Sequence, residues 1–208
     1  RDFYGLDEKA MKDVSVVPFR VRDGDDASCL NLNRAQKPRL LGVKPELLAE
    51  RGVFTFAGLA TGLKAEKPWT LLAPLRFGHH QVAGTIQSPS IFDSAIPAIA
   101  DEASILWALG KKLGDTLDYT DERGRAFKVR LVGALANSIL QGNLVIDEDE
   151  FVKRFPNESG YRMLLIDAPA NRAAEVSATL TKTLSDVGLE LTPAPKRLAA
   201  FNAVQNTY

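Results

Sequence analysis

The sequence is poor in the side chains that most often bind metals or form crosslinks. Its one cysteine, Cys29, can form neither an internal disulfide nor a multi-cysteine metal site, and is most simply a small buried hydrophobe. Its two histidines, His79 and His80, are adjacent, so in a strand they would face opposite sides. We therefore predict no metal site.

An excess of either charge is also missing. Twenty-six basic residues balance 26 acidic ones over 208 residues, and neither a basic stripe nor a polybasic cluster is visible. Proteins that bind nucleic acids or anionic lipids normally carry such an excess. The composition therefore excludes nucleic acid as the expected partner.

Motifs that mark catalysis or nucleotide binding are lacking as well. No Gly-x-Ser-x-Gly elbow and no Gly-rich phosphate loop of either common type occurs. We predict that the chain is not an enzyme and that it has no catalytic or cofactor-binding residue and no cofactor.

Long apolar runs are the last notable absence. No segment approaches the roughly 18 apolar residues that span a bilayer, and no signal peptide is present. Yet the chain opens at Arg1 rather than methionine and stops at Tyr208 inside a predicted helix. We expect it to be a segment of a longer protein.

The acidic and aromatic clusters that do occur have simple structural interpretations. Asp23, Asp25 and Asp26 resemble the start of a calcium-binding loop. Residues 27–30 do not continue the spacing of ligands that such a loop requires, so we predict that the acidic residues form an exposed turn. The acidic run 147–150 is predicted to open a helix. The larger aromatic residues are predicted to lie in the core, with an exposed patch as the alternative for Trp69: Phe54, Phe56, Trp69, Phe77 and Trp107.

The first third of the chain predicts one strand and one short helix. Apolar Val17, Phe19 and Val21 alternate with polar residues across 14–22, and Pro18 suggests an edge strand or a bulge. Residues 45–52 fit a short helix that begins at a proline and ends at a glycine.

Residues 89–156 predict a small β-rich lobe. Asp101 is expected to cap a short helix through Leu109 whose inner face carries Ile105, Leu106 and Leu109. A hairpin follows, with strands at 116–120 and 126–132, and then a strand at 144–146.

The last segment predicts a β-α-β unit. Residues 161–167 and 189–192 are the two strands, with a helix between them that Asn171 caps and Gly188 ends. Its apolar stripe is Ala173, Val176, Leu180, Leu184 and Val187. A final amphipathic helix carries Leu198, Phe201 and Val204.

Three groups of segments together resemble the extracytoplasmic domain of the FtsX-like, MacB-like ABC-transporter permeases. The first group is PFRVRDGDDASCLNL at 18–32 with PRLLGV at 38–43. The second is IAD at 99–101, LGDTL at 113–117, RLVG at 130–133 and LQGNL at 140–144. The third is SGYRMLLID at 159–167, GLELT at 188–192 and RLAAFN at 197–202.

The resemblance implies an α+β fold. A ferredoxin-like β-α-β "porter" lobe would be made from both ends of the chain, 1–88 and 157–208, and 89–156 would be an inserted β-rich lobe. Such a domain lies on the periplasmic side of the bacterial inner membrane, between two transmembrane helices.

The resemblance also implies which partner proteins the domain has and what function it performs. The expected partners are a second permease copy, a cytoplasmic ATPase reached through transmembrane helices, and a periplasmic adaptor or carrier protein. The domain would couple ATP hydrolysis to export, extraction or partner activation outside the membrane.

Two alternatives from other classes stay open at the level of the sequence. An extracytoplasmic small-molecule-binding or sensor domain would need a deep apolar pocket with a few convergent polar groups. A hydrolase with unmarked carboxylates would need two facing carboxyl groups and a strongly raised pKa.

Overall fold

The computed structural model describes residues 11–24, 37–73 and 95–205. The chain divides into a larger unit, 19–163, and a smaller unit that takes residues from both ends of the chain, 11–18 and 164–205 in its described part. The predicted α+β class is confirmed, because the described residues contain eight strands of mixed direction and four α-helices. The larger unit, 19–163, contains the whole of the predicted inserted lobe, 89–156, and extends beyond it at both ends. The division of the chain into a porter lobe and an inserted lobe stays a prediction.

The larger unit is built on a mixed sheet. Its strand order is β3-β6-β4-β7-β2-β1, with β5 also paired to β6. Parallel pairs join β2 to β7 and β4 to β6, and the remaining pairs are antiparallel. The strands are β1 Ser15–Arg22, β2 Arg39–Val43, β3 Phe56–Leu59, β4 Ile96–Asp101, β5 Thr116–Thr120, β6 Ala126–Leu135 and β7 Asn143–Asp147.

The inner faces of these strands hold one apolar cluster. β4 and β7 are buried along nearly their whole length because they lie in the middle of the sheet and are mostly apolar. β6 is buried at Val129 and from Leu131 to Leu135, whereas its first three residues are more exposed. Helix α2 (Glu148–Arg154) contributes Phe151 to this cluster, and Phe155, the residue that ends the helix, also belongs to it. The largest fully buried side chains of the larger unit are Phe19, Leu40, Leu41, Leu48, Leu72, Ile99, Ile105, Leu131, Leu135, Leu140, Phe151 and Phe155.

The predicted first strand is confirmed as β1. Val17, Phe19 and Val21 are buried, and they alternate with more exposed neighbours as the period-2 pattern predicts. β1 is not an edge strand, because β2 and β8 (Met163–Asp167) lie on either side of it in the strand order. The register with β2 covers only Arg20 to Arg22, so Pro18 removes no hydrogen bond from that pair.

The short helix near residue 45 is confirmed as α1, Pro45–Arg51. Its end is set by Gly52, which adopts the left-handed conformation at φ 61° that favours glycine. The aromatic core prediction holds for Trp69, which is 3% exposed and meets Phe54 and Phe56 edge-on with ring centroids 5.5 and 5.6 Å away.

The predicted hairpin and the strand after it are confirmed as β5, β6 and β7. The acidic run opens α2 as predicted. Asp147 is its N-cap, and the carboxylate accepts hydrogen bonds from the backbone N–H groups of Asp149 and Glu150.

The short helix predicted after Asp101 is present at residues 102–108, and its cap is confirmed, since the Asp101 carboxylate accepts from the N–H of Ala103 at 3.0 Å. It differs from the prediction in its geometry and in one residue of its inner face. Residues Ser104–Ala108 form a π-helical turn, in which the N–H of Leu109 donates to the carbonyl of Ser104 at 3.0 Å. Because each turn of a π-helix holds more residues than an α-helix, Leu106 rotates out of the inner face, and it is exposed. Trp107, predicted to lie in the core, is also exposed.

The smaller unit contains β8, helix α3 (Ala173–Leu184) and helix α4 (Ala194–Gln205). The strand and both helices were predicted. Val176 and Leu180 are the buried members of the predicted stripe, whereas Val187 is exposed. Gly188 ends the segment as predicted, at φ 77°.

Two predictions for the smaller unit are wrong. The residue at the N-cap of α3 is Arg172 instead of Asn171, and it makes no side-chain cap hydrogen bond. Residues 189–192 form no strand, although their exposure alternates with period two. Alternation alone does not form a strand, because the backbone must also find a neighbouring strand to pair with.

Among the residues that the structure describes, no helix is both long and apolar enough to cross a membrane.

Candidate functional site

A cluster of arginines and carboxylates lies on the polar face of β1. Phe19 and Val21 point into the core, so Arg20 and Arg22 point the other way. Arg20 donates from Nε to Oε1 of Glu148 at 2.8 Å, and the hydroxyl of Tyr161 donates to the same oxygen at 2.9 Å. Glu148 is only 6% exposed although it is charged, because these two donors replace the water it loses.

The cluster extends along the segment that precedes β8. Arg22 Nη1 donates to Oε1 of Glu158 at 2.6 Å, and Arg20 Nη1 donates to the backbone carbonyl of Glu158 at 3.2 Å. Arg162 Nη2 donates to the carbonyl of Val21 and to Oδ2 of Asp23, both at 2.9 Å. Each of these charges therefore has a partner, and the cluster ties the segment 158–162 to β1.

Aromatic rings support the same cluster. The guanidinium carbon of Arg20 lies 5.1 Å from the centroid of the Tyr161 ring, and that of Arg22 lies 5.4 Å from the centroid of Phe155. The hydrogen bond from its hydroxyl to Glu148 raises the pKa of Tyr161, with its partial burial adding to the effect. The phenol stays protonated and acts as a donor, which is a positioning role and not that of a general base.

The buried carboxylates elsewhere in the larger unit hold turns and caps. Asp101 accepts from the N–H of Ala103 at 3.0 Å and from that of Ser138 at 2.6 Å. Asp121 accepts from the N–H groups of Arg123 and Arg125, and the backbone hydrogen bond from Arg125 is the main cause of its lowered pKa. These hydrogen bonds account for burial of the carboxylates without a catalytic role.

Asp147 is the one described carboxylate whose pKa is raised. Burial is the main cause, and it outweighs the two N–H groups that the side chain accepts from as the cap of α2. The carboxylates of Asp149 and Glu150, in the first turn of the same helix, add to the rise, so the raised pKa belongs to the start of α2. In the described part of the chain, no group of three or more His, Cys, Asp or Glu residues could hold a metal ion.

The π turn Ser104–Ala108 is the second candidate feature. It follows β4 directly and projects Leu106 and Trp107 outward, with Trp107 79% exposed. Ser104 and Ile105 anchor the turn from the buried side, and Leu109 closes it. The arrangement presents one large aromatic side chain on a fixed base, which suits recognition more than chemistry.

Several residues weighed from the sequence fall outside the described ranges. These are Asp25, Asp26, Cys29, His79, His80 and Phe77. Asp23 is described, and it pairs with Arg39, whose Nε lies 3.3 Å from Oδ1, and with Arg162.

The sequence did not reveal the arginine cluster or the exposed tryptophan. Arg20 and Glu148 are 128 residues apart, so no local spacing links them. The period-2 pattern of β1 does place Arg20 on a polar face, which is the one signal that could have marked it. For Trp107 no signal exists, because its neighbours fit an α-helical stripe better than a π turn.

The described residues thus have a mixed α+β fold, with a paired charge cluster and an exposed aromatic turn in the larger unit. No protein-family model matches the sequence, and no curated protein matches it. Among solved structures, the periplasmic region of MacB from Actinobacillus actinomycetemcomitans is similar over 81% of this chain and 66% of its own, at 15% sequence identity and a TM-score of 0.38. The chain thus spans slightly less than two thirds of that region. At this identity and TM-score, the similarity assigns neither a family nor a function.

Proposed function

We propose that this chain is the extracytoplasmic domain of an ABC-transporter permease and that it couples ATP hydrolysis inside the cell to events outside the membrane. The observation that carries the proposal is the division of the chain. Residues 11–18 and 164–205 belong to one unit, whereas 19–163 form another. In a domain inserted between two membrane helices, each end of the domain connects to one helix, so residues 11–18 and 164–205 would form the unit to which both helices connect.

The sequence resemblance to the FtsX-like, MacB-like permeases supports the same function. Two of the three groups of segments that carry it include parts of β1 and β8, at residues 18–22 and 163–167. These two strands are neighbours in the strand order.

The polar groups support a mechanical role more than a chemical one. Arg20, Glu148 and Tyr161 are engaged with one another, and Arg22 and Arg162 each bond a carboxylate. Such a cluster holds the segment before β8 in a fixed place on the larger unit. A domain that passes on motion requires stiff connections of this kind, because a loose segment would absorb the displacement.

The partners follow from the proposal. The ATPase would lie on a cytoplasmic domain or subunit, joined through transmembrane helices to this domain and to a second permease copy. An adaptor or carrier protein would bind outside.

Reporter insertion in the complete gene tests the location. The turn at Gly124 joins β5 to β6 and is exposed, so an inserted domain there leaves the sheet pairing intact. We expect alkaline phosphatase inserted at this turn to be active and a green fluorescent protein at the same turn to be dark. The same two reporters fused to the amino terminus of the encoded protein are the control, and we expect the reverse pattern. A bright fluorescent insertion at Gly124 together with an inactive phosphatase would overturn the proposal.

A further inference from the structure

The π turn exposes two consecutive apolar side chains. Trp107 is 79% exposed and Leu106 is 46% exposed. Single exposed apolar residues are common and need no explanation. Tryptophan is different, since it is well buried on average and is among the residues most enriched at the centres of binding interfaces. The turn is therefore a candidate contact surface.

The turn is held rigidly in spite of its exposure. The N–H of Lys111 donates to the carbonyl of Ile105 at 2.9 Å, in addition to the bond from Leu109 to Ser104 that closes the π turn. The hydroxyl of Ser104 accepts from the N–H of Gly142 at 2.8 Å, which fixes the base of the turn to the segment before β7. A side chain presented from a fixed base loses less conformational entropy on binding than one on a loose loop, which favours affinity.

Charges of opposite sign lie at the two ends of the exposed apolar pair. Glu102 precedes the pair and Lys111 and Lys112 follow it, and all three are exposed. Trp107 is midway in the sequence between Glu102 and Lys112. The segment thus runs from an acidic end through an apolar centre to a basic end.

The basic end keeps its sign although two aspartates lie close to it. Asp115 accepts from the backbone N–H of Lys112 at 3.0 Å. Asp118 accepts from the ammonium group of Lys128 at 2.6 Å; this bond is the main cause of its lowered pKa, and Lys111 adds a smaller electrostatic contribution. With Lys128 included, three lysines stand against two aspartates, so this end is net positive.

The acidic end carries no compensating cation along the chain. Residues 96–110 contain no lysine or arginine. Asp101, next to Glu102, is buried and accepts from the N–H groups of Ala103 and Ser138. The two ends of the segment therefore differ in sign.

We propose that residues 102–112, which we call the docking turn, form a twofold contact with the docking turn of a second copy of this chain. A twofold contact pairs each patch with itself, so two antiparallel turns bring the acidic end of each against the basic end of the other. Leu106 and Trp107, at the middle, then meet their counterparts near the twofold axis. The contact joins opposite charges at both ends and removes the apolar pair from water at its centre.

Other arrangements fit the docking turn less well. Two parallel turns would bring like charges together at both ends, which costs free energy. A polybasic membrane site carries about four to eight basic residues, whereas the docking turn has two and also a glutamate. A different protein would have to offer both charges and an apolar centre in matching order, a pattern that a second copy already has. The contact could form on either side of a membrane, so the proposal does not rest on the proposed function.

Site-specific photo-crosslinking tests the contact in the complete protein. Cells express two differently tagged copies, and one of them carries a benzophenone amino acid at position 108, beside Trp107. The same probe at position 53 is the matched control, because Val53 is 60% exposed and lies elsewhere on the larger unit. Adducts are identified by their tags and mapped by mass spectrometry.

We expect an adduct between the two copies at position 108 that maps to residues 102–112 of the second copy and is absent at position 53. Trp107→Ala in both copies should remove most of this adduct. Loss of an aromatic side chain from the centre of an interface weakens binding at least about 30-fold, which corresponds to about 2 kcal/mol.

Charge reversal tests the antiparallel arrangement. Glu102→Lys in both copies, or Lys111→Glu with Lys112→Glu in both copies, should lower the yield, because like charges then face each other at both ends. When one copy carries the first change and the other copy carries the second, opposite charges face again at both ends. The adduct between the two tags should then return.

Several results would each overturn the proposal. They are no adduct above the level at position 53, an adduct with lipid or with a different protein, an adduct that maps outside residues 102–112 of the second copy, an adduct that Trp107→Ala leaves unchanged, and no recovery with the charge-reversed pair. The substituted side chains are all exposed, so each variant should unfold at the same denaturant concentration as the parent, and a lost adduct does not reflect misfolding. The reporter insertion is independent of these results, so either proposal can fail without the other.

Discussion

Replacing Gly42 by alanine should destabilise the larger unit by about 2 kcal/mol. Gly42 lies in β2, and a Cβ built on it would sit 2.7 Å from both Cβ and Cγ of Phe151 in α2. Carbon atoms pack best at about 3.5–4.0 Å. Because the contact is with the base of a fully buried side chain, a change of rotamer cannot relieve it, and α2 has to move.

The magnitude follows from two opposing effects. Overpacking a core costs about 1–3 kcal/mol, and a contact with atoms that cannot rotate away belongs at the upper end of that range. Alanine also reduces the entropy of the unfolded chain relative to glycine, which stabilises the fold by about 0.4–1 kcal/mol. The difference is about 2 kcal/mol.

Urea unfolding followed by tryptophan fluorescence measures this change, because Trp69 is buried in the same unit. With a slope of about 2 kcal/mol per molar urea, the midpoint should fall by about 1 M. Gly58→Ala is the matched control, since the new Cβ meets only the end of the flexible Leu113 side chain, at 3.3 Å. Its midpoint should stay within about 0.5 M of the parent, because the same entropic gain of about 0.4–1 kcal/mol applies and little opposes it. Equal midpoints for the two variants would refute the packing of α2 on β2 described above.

Three further predictions concern single polar groups. Arg20→Met should cost about 2 kcal/mol in urea unfolding, because it leaves the buried Glu148 without its cation, whereas Arg22→Met, from a more exposed pair, should cost less than about 1 kcal/mol. Tyr119→Phe should cost about 1 kcal/mol in the same measurement, because its buried hydroxyl donates to the carbonyl of Pro38 at 2.8 Å. Asp147→Ala should cost about 1 kcal/mol at neutral pH, and Asp147→Asn much less because asparagine also caps helices. Burial raises the pKa of Asp147 above 3.8, so the folded state binds the proton more tightly than the unfolded chain. Relative to Asp147→Asn, the parent should therefore lose stability as pH rises from 3.8 through the raised pKa. If the parent gained stability over that range, the pKa of Asp147 would not be raised in the folded state.

Local patterns in the sequence predicted most elements of the fold. The strand at β1 has a period of two, the hairpin of β5 and β6 has a polar turn between alternating strands, and α1 has a proline at its start and a glycine at its end. Each of these signals acts through neighbours in the chain, so sequence reasoning detects it.

The failures occur where a distant part of the chain decides the structure. Residues 189–192 carry the alternation of a strand, but pairing depends on a neighbouring strand that the pattern does not specify. The segment after Asp101 has the stripe of an α-helix, yet Ser104 and Asp101 bond Gly142 and Ser138, which come more than 30 residues later. These bonds accompany the π turn that exposes Trp107.

The candidate site was the least predictable part for the same reason. Arg20, Glu148 and Tyr161 come together only because β1, α2 and the segment before β8 meet in the fold. Charged residues are frequent on every surface, so composition does not distinguish a buried pair from an exposed one.

Hydrogen exchange on the complete protein, assembled with the ATPase that we propose it has, tests the central proposal, that ATP hydrolysis inside the cell changes this domain outside it. Exchange is measured in lipid nanodiscs in two states, one without nucleotide and one with ATP and vanadate. Both states are measured for the parent and for a variant whose ATPase binds ATP without hydrolysing it. We predict changes in protection within residues 11–18 and 164–205 of the parent, the unit that holds both ends of the chain, and none with ATP in the hydrolysis-deficient variant. Identical exchange across residues 11–24, 37–73 and 95–205 in all states, with hydrolysis confirmed in the parent, would contradict the account.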